Sequence, residues 1–577
     1  MHFDKPALRW AALFAAGVVL LYGMVLRKLY CVQVKGEIGG IVKNAMEYKK
    51  TLPALRGKLL DRNGKTLAVS YPCWKIFVDP VGIETQNQLR ACAELAKFKE
   101  FDAAKIYESI HATNGRYHVL GVTKNDALVS NIAANPVLAR GVGREDVVVR
   151  EYPNREQASH VIGAVNSSGV GLDGAEKVFD ARLSGSNGWI HGFADAKRVE
   201  IPSMRKAIVP PSNGANVYLS IDRNIQDIVE TALAEWCERT DAERGWVIVQ
   251  DPRTGEILAM SSLPGFDPSQ YGAAPAANRF NPAIWVNFEP GSIMKTLTFA
   301  AALETGIMQT NTLINVDAAV YAGRAISDHV SGSITLTEAT ARSSNRAAAR
   351  VGQLLGRERL NGFFKAFGLG ARTGVGLPGE SVGILHSPEK WSELDLVCHA
   401  FGQGVSVTAI QMAAMYSALA NDGKLLKPTI LSRIEAASGE MIMEHKPEEI
   451  GRPISAKTAR ETTFMMQAVT MQGGTARRSR IPGYSVAGKT GTAQVSGRGG
   501  YNNTDYVASF AGFFPASAPE VVMVVGLYKA RDKEVDGRKV LYHQGGVSAA
   551  PLFAQIGAEI ARHLQIQPDR PWEIDGL

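Results

Sequence analysis

The amino-acid sequence predicts an α+β protein: an N-terminal membrane helix, an elongated mixed α/β region, then a domain of helices packed on an antiparallel sheet. Three observations carry that prediction. Seventeen residues without a charge run from Trp10 to Leu26. Strand-like segments flank Thr254-Gly255 in WVIVQDPRTGEILAM and recur late in GYSVAGKTGTAQ, YVASFAGFFP and VVMVVGLY, with helical patterning between the two groups. An amphipathic segment, LFAQIGAEIARHL, follows the last of them. Strands early and late, with helices between and after them, are the layout of an α+β domain.

Composition agrees with a globular chain. At about 100–200 residues per domain, 577 residues make roughly three to five domain-sized units. A chain that is 45% hydrophobic and 21% charged is neither disordered nor fibrous. Lys and Arg number 63 against 56 Asp and Glu, a net charge of +7 spread along the chain. No Lys/Arg block reaches the length of a nucleic-acid arm, so no nucleic-acid partner is expected. The five cysteines (Cys31, Cys73, Cys92, Cys237, Cys398) contain no C-x-x-C pair. Neither a zinc cluster nor a complete disulfide framework is expected. Cys31 follows the bulky Tyr30, where lipoprotein processing needs a small residue, so lipidation is set aside.

The uncharged run spans about 26 Å as a helix, at the lower end of what crosses a bilayer. Arg27 and Lys28 can snorkel and let the helix continue to Tyr30, which with Trp10 would mark the two interfaces. A signal peptide would end at a small-x-small site. Here the run ends in RKLYC, so residues 10–30 are expected to be an uncleaved anchor behind a tail of residues 1–9. Lys5 and Arg9 precede it and Arg27, Lys28 and Lys35 follow, an asymmetry that does not set orientation when the following domain is long.

After the anchor, Asn63-Gly64 between LL and TLAV is a hairpin-turn signal. ETQNQLRACAELAKF is patterned as a helix, and NSSGVGLDGAE holds Gly-rich turns. VPPSNGAN reads as a junction, so residues 31–215 form one unit and 216–577 the next. VYLSIDRNIQDIVETALAEWC opens the second unit as a strand and an amphipathic helix capped by Asp222.

Three short elements carry the chemistry: Ser292-Ile293-Met294-Lys295, Ser343-Ser344-Asn345 and Lys489-Thr490-Gly491-Thr492. S-x-x-K alone is weak, and Ser203–Lys206 and Ser387–Lys390 also match it. Ser387 before Pro388 reads as a helix cap, and Ser203 has no partner motif. Only Ser292 follows Pro290-Gly291 and opens a long apolar helix. There its hydroxyl lies near free backbone N–H groups, and Lys295, one turn on, faces it. A lysine is a base only if burial and a second cation lower its pKa from about 10.4. Ser343 and Asn345 can relay a proton and hold a carbonyl. Lys489, Thr490 and Thr492 can hold a carboxylate, and Gly491 lets a ligand backbone approach the strand. Each motif alone fits a cap or a turn; together, in this order, they fit a serine acyl-transferase.

The sequence resembles the penicillin-binding proteins and active-site serine β-lactamases. RGKLLDRNGKTLAVS, YPNREQASHVIGAVN and GLDGAEKVF, with Glu176, look like the class B, monofunctional branch, and FEPGSIMK, FGQGVSVTAIQMAAMYSALANDG and GYSVAGKTGTAQ match its transpeptidase domain. The resemblance implies a non-catalytic, dimerisation-type pedestal over 31–215 and a penicillin-binding transpeptidase domain over 216–577. It implies a D-Ala-D-Ala transpeptidase of the carboxypeptidase family that cross-links stem peptides of nascent, lipid II-derived glycan with release of D-Ala. Ser292 would be the nucleophile, Lys295 the base, and Ser343 with Asn345 the proton shuttle. Lys489 would supply positive potential, Thr490, Gly491 and Thr492 would line the carboxylate subsite, and the N–H groups of Ser292 and Thr492 would form the oxyanion hole. β-Lactams would be covalent inhibitors. No cofactor or metal is expected, since no P-loop or ligand cluster appears.

The resemblance also implies an inner-membrane protein with residues 1–9 in the cytoplasm and the catalytic domain outside. A β-lactam-sensing receptor would need a cytosolic effector, for which residues 1–9 leave no room. A β-lactamase would not carry 31–215, and an idle divisome scaffold would not keep all three motifs. Ser-Ser-Asn, Phe288-Glu289-Pro290-Gly291 and the FGQG region look like the division and sporulation branch rather than the elongation branch. A septal enzyme working with a SEDS-family glycan polymerase and other divisome proteins is therefore expected. His399, the arginines 477, 478 and 480, and Arg56 with Asp61 are read as structural.

Overall fold

The computed structural model describes residues 5–33, 47–194, 200–317, 320–321, 323–497 and 500–570. Residues 1–4 of the expected tail, and residues 34–46 with Lys35 at the start of the expected pedestal, lie outside the described residues. The chain forms two compact units.

The first unit comprises Met1–Leu55 and Gly185–Asn213. Its helix, Lys5–Gln33, contains a 23-residue apolar stretch, Arg9–Cys31, none of which is buried by the protein. At 1.5 Å per residue that stretch measures about 35 Å, enough to cross a hydrocarbon core of about 30 Å. It is a single membrane anchor near the N-terminus. A three-stranded antiparallel sheet follows, in the order Glu47–Leu52, Gly188–Phe193, Ala207–Val209. Glu47 ties it together by accepting hydrogen bonds from His191 at 2.9 Å and Lys206 at 2.6 Å.

The second unit comprises Arg56–Ser184 and Gly214–Leu577. Strands β1 (Leu59–Leu60) and β2 (Thr66–Val78) form the expected hairpin. Asp61 builds its turn, accepting from the N–H groups of Asn63 and Lys65, while Gly64 takes φ +83°. β2 pairs with both β3 (His118–Thr123) and β4 (Val142–Glu151). Three short helices close a separate core of Ile76, Leu95, Ile106, Leu120 and Leu128 on this sheet. Strand β5 (Asn216–Leu219) starts at the expected 215/216 boundary, but it is central to a continuous sheet. It pairs with β1 on one side and with Leu431–Glu435 on the other.

One buried carboxylate ties the segments that begin at Arg56 and Gly171 to β4. Glu176 is fully buried and accepts from Arg56 Nε and from Arg150 Nε, each at 2.7 Å. Arg56 also reaches Asp180 at 2.6 Å, and Arg150 donates to the Gly57 carbonyl at 2.7 Å. Two guanidinium forks on one carboxylate satisfy most of each other's buried hydrogen-bonding capacity. Losing either sign would strand the other. Arg56 and Asp61 thus hold junctions and turns, as the sequence implies.

The catalytic part is a five-stranded antiparallel sheet in the order β7 (Ile257–Leu263), β6 (Arg244–Gln250), β10 (Val521–Tyr528), β9 (Gly500–Phe514), β8 (Ala487–Gly497). Its strands are buried on both faces, so successive residues serve different cores. Val247 and Val249 pack with helices α1 (Arg223–Thr240) and α6 (Ala549–His563). Trp246 and Ile248 pack with α2 (Lys295–Glu304) and α5 (Ala409–Ala420). Asp222 caps α1, accepting from Asn224 N at 2.8 Å and Ile225 N at 3.2 Å. β8 is left as an edge, with its outer side open to the segments that carry Ser292 and Ser343.

Candidate active site

The first segment is a single 3₁₀ turn, Gly291–Ile293, that runs into α2 at Lys295. Gly291 adopts φ +52°, open to glycine and costly for other residues. Its N–H donates to the Gly402 carbonyl at 2.9 Å, so the FGQG loop is the bed under the turn. Gly402 must itself be glycine, because a Cβ there would sit 2.1 Å from the Gly291 carbonyl oxygen. In 3₁₀ geometry residues three apart eclipse. The S-x-x-K spacing therefore stacks Lys295 on the same side as Ser292.

The second segment links α3 (Leu336–Ala341) to α4 (Asn345–Leu355). Ser343 has φ +59°, a strained conformation for a residue with a Cβ. Neighbouring groups hold it there. Ser344 caps α4 by accepting from Ala347 N at 3.1 Å and donates its hydroxyl proton to Asp328 at 2.6 Å. Asp328, whose side chain is wholly buried, also accepts from the N–H of Arg346 at 2.8 Å. Burial opposes its charge, but the bonds from the Ser344 hydroxyl and the Arg346 N–H outweigh it, and the carboxyl stays below the usual range. Asn345 is aligned through its amide N–H₂, which donates to the Ser327 carbonyl at 3.0 Å.

The third segment is edge strand β8. Gly491 abuts the first segment: a Cβ there would lie 2.3 Å from Ser509 Oγ and 2.8 Å from the Ile293 side chain. A larger residue at 491 would push directly on the neighbour of Ser292. Thr490 Oγ1 shares a hydrogen bond with Thr475 Oγ1 at 2.9 Å, and Thr492 Oγ1 accepts from Gly545 N at 3.2 Å. The Thr492 carbonyl points towards Gly291, 3.3 Å from where a Cβ would be. In an extended strand a residue's N–H and C=O face the same edge, so the Thr492 N–H also points outward, to the side of the nucleophile turn.

Two buried lysines join the segments. Lys295 Nζ lies 2.6 Å from the Ser343 carbonyl, 2.6 Å from Asn345 Oδ1 and 3.2 Å from Ser343 Oγ. Lys489 Nζ donates to the same Ser343 hydroxyl at 2.9 Å. Both lysines are fully buried, and the two nitrogens are no more than about 6 Å apart across one oxygen. Burial, then the charge of Lys489, push the Lys295 amine well below the usual lysine range, with Asp328 opposing. Burial alone lowers Lys489 to about 7. With Lys295 uncharged, the Ser343 carbonyl and Asn345 Oδ1, which can only accept, take its two hydrogens. Its lone pair is then left facing the serine hydroxyls. Ser292, half-buried, makes no hydrogen bond with Lys295 among the described residues, a common state before substrate tightens a site.

The structure thus brings Ser292, Lys295, Ser343, Asn345, Lys489, Thr490, Gly491 and Thr492 together. Ser203 and Ser387 stand elsewhere, Ser203 in a short 3₁₀ turn and Ser387 at the N-cap of another, with Lys206 paired to Glu47 and Lys390 exposed. His399 is buried, donates from Nε2 to the Gly404 carbonyl at 3.0 Å, and packs on Trp391, a structural post for the FGQG loop. Arg477 and Arg478 are exposed in a 3₁₀ turn. Sequence reading missed Asp328 and Thr475. Each lies outside any motif and matters only through a partner distant in the chain. Among the described residues no group of three or more His, Cys, Asp or Glu could hold a metal ion.

Comparisons with known proteins agree with this geometry. Residues 245–557 match the family model of the penicillin-binding protein transpeptidase domain, and 51–219 match that of the penicillin-binding protein dimerisation domain. The chain is 31% identical to stage V sporulation protein D of Bacillus subtilis, over 95% of this chain and 86% of that protein. It is 30% identical to the peptidoglycan D,D-transpeptidase FtsI of Escherichia coli, over 89% of this chain and 84% of that protein. The crystal structure of penicillin-binding protein 3 of Mycobacterium tuberculosis complexed with aztreonam superposes with a TM-score of 0.69 at 28% identity, covering 90% of this chain and 99% of that one.

The lowered lysines make stability depend on pH in a set direction. Between about pH 7 and 10 the unfolded chain keeps a proton on Lys489 that the folded chain has lost, so stability rises with pH across that window. Lys489→Met should remove about one proton from that slope and make the protein more stable at pH 7. Urea denaturation at a series of pH values measures both quantities. An unchanged slope would mean that Lys489 keeps an ordinary pKa.

Proposed function

The chain belongs to the class B penicillin-binding proteins, and from that premise we propose which residues carry its peptidoglycan D,D-transpeptidase reaction and where in the cell it works. The observation that carries the assignment is the convergence of two buried lysines on Ser343 beside Ser292. Neutral Lys295 takes the Ser292 proton, and the oxygen attacks the carbonyl of the penultimate D-Ala of a stem peptide. The N–H groups of Ser292 and Thr492 receive the negative charge on the tetrahedral oxygen. The terminal carboxylate keeps Lys489 protonated as it binds, and Lys489 holds it together with the hydroxyls of Thr490 and Thr492.

Collapse of that intermediate breaks the peptide bond. The proton held on Lys295 passes through the Ser343 hydroxyl to the nitrogen of the departing D-Ala, which leaves Lys295 neutral again. The acyl-enzyme on Ser292 then accepts the amine of a second stem peptide, whose proton returns to Ser292 by the same route. Asn345 holds Lys295 and the substrate amide in line, and Gly491 lets the donor backbone lie against β8. A β-lactam enters as the donor and, its leaving group still tethered, remains on Ser292.

A fluorescent penicillin should label the chain covalently, and peptide mapping should find the label on Ser292. Ser292→Ala should abolish labelling with the melting temperature held within a few degrees. Label retained in that variant, or found on Ser203 or Ser387, would reject the assignment.

We further propose that residues 1–9 lie in the cytoplasm, that the catalytic domain lies outside, and that residues 31–215 act as the pedestal for the 216–577 domain. The substrate is extracytoplasmic, and the domain that follows the anchor is long enough to be moved across regardless of flanking charge. The Ser-Ser-Asn motif and the Phe288-Glu289-Pro290-Gly291 entry to the nucleophile support a septal role with a SEDS-family polymerase and divisome membrane proteins. The chemistry would be the same in an elongation enzyme, so cell shape is the readout. Depletion in a rod-shaped host should give long filaments with unfinished septa, whereas round, swelling cells would assign the protein to elongation.

A further inference from the structure

We infer that Tyr416 is a positioning residue for acylation: its phenol holds the 3₁₀ turn of Ser292 in the register that stacks Lys295 beside it. The inference rests on the roles proposed above for Ser292 and Lys295 and adds what fixes their alignment. Tyr416 lies in α5, AIQMAAMYSALA, whose buried residues apart from Gln411 are otherwise small or apolar, and is itself fully buried. Packing asks only for its ring. Its hydroxyl has a specific use: it donates to the Ile293 carbonyl at 3.1 Å and lies 3.2 Å from Thr296 Oγ1. Burial raises its pKa, so the phenol stays protonated and donates at every working pH.

The Ile293 carbonyl is available for a reason. In a continuous α-helix it would accept the N–H of Leu297, four residues on. Here the Leu297 N–H goes to the Met294 carbonyl at 2.9 Å, and the Thr298 N–H also reaches Met294, at 3.2 Å. The chain is overwound at this point, and the carbonyl next to Ser292 is turned out of the helix towards α5. Tyr416 supplies the donor that the helix has withdrawn, and Thr296 completes the chain by donating to the phenol oxygen. The register matters because residues three apart eclipse in a 3₁₀ turn but stand about 60° apart round an α-helix. Without the phenol the buried carbonyl either stays unpaired or recaptures the Leu297 N–H, rewinding the turn and rotating Ser292 away from Lys295.

Tyr416→Phe removes one oxygen and keeps the ring. With the full chain in detergent micelles and a fluorescent penicillin as probe, stopped-flow kinetics separate the dissociation constant of the initial complex from the acylation rate constant. The expected result is an acylation rate constant lower by about 10- to 100-fold, an initial dissociation constant within twofold of the parent, and a melting temperature within a few degrees. Thr296→Val, which removes only the supporting bond, should show a smaller loss of the same kind. Tyr416→Phe with Thr296→Val should be no slower than Tyr416→Phe alone, because the two act through one carbonyl. Acylation by Tyr416→Phe within twofold of the parent would overturn the inference. So would equal losses in binding, rate and melting temperature, which would make the phenol a general structural contact. Should Tyr416→Phe fail to fold, parent-like acylation by Thr296→Val would overturn it, and slowed acylation with unchanged binding would support it. A parent chain that carries no label on Ser292 would overturn the reading beneath it instead.

Discussion

Two lysines that share one serine hydroxyl inside the protein set the terms for everything around them. Lys295 and Lys489 both reach Ser343 Oγ, and neither is exposed to water. Two ammonium groups so close in a poorly polarisable setting repel each other and lose hydration together, so the pair sheds a proton. Lys295 is held well below the usual lysine range by its burial and by the charge of Lys489. The same burial that weakens the fold thus allows a base and a cation side by side up to about pH 7, where free lysines are both charged.

That pair can be maintained only if three chain segments, far apart in sequence, keep their positions to a fraction of an ångström. The five-stranded sheet does part of this by presenting β8 as an unpaired edge. Close contacts without side chains do the rest: Gly291 on Gly402, and Gly491 on Ile293 and Ser509. Asp328 fixes Ser344 and Arg346 on either side of Asn345, so the strained Ser343 cannot relax without breaking a buried carboxylate's bonds. In the other half of the unit, Glu176 plays a comparable part for Arg56 and Arg150. Both are single buried carboxylates that gather groups from separate segments.

Much of this was legible in the residues because it is local. The Asn63-Gly64 turn, the Asp222 cap, the apolar run of the anchor and the closing helix each follow from a few neighbouring side chains. The three motifs were legible too, since their order and chemistry do not depend on seeing the fold. Strand order was not. Pairing β6, from residues 244–250, with β10, from 521–528, encloses nearly the whole catalytic domain, and no nearby residue encodes that partner. The place of β5 between β1 and Leu431–Glu435 was hidden for the same reason. Asp328 and Tyr416 carry no periodicity of their own. Their value lies in hydrogen bonds to groups 16 and 18 residues away for Asp328 and 123 for Tyr416, which a linear reading does not display.

The central claim is that the Lys295 amine loses its proton far more readily than a free lysine because it is buried beside a second lysine. Lysine labelled with ¹³C at Cε reports the charge directly, and the Lys295 resonance can be assigned by its loss in Lys295→Arg. The account predicts a titration midpoint for Lys295 well below the ordinary lysine value of about 10.4, moving upward in Lys489→Met when the neighbouring charge is removed. A midpoint near the ordinary value, or one that does not respond to the loss of Lys489, would contradict it.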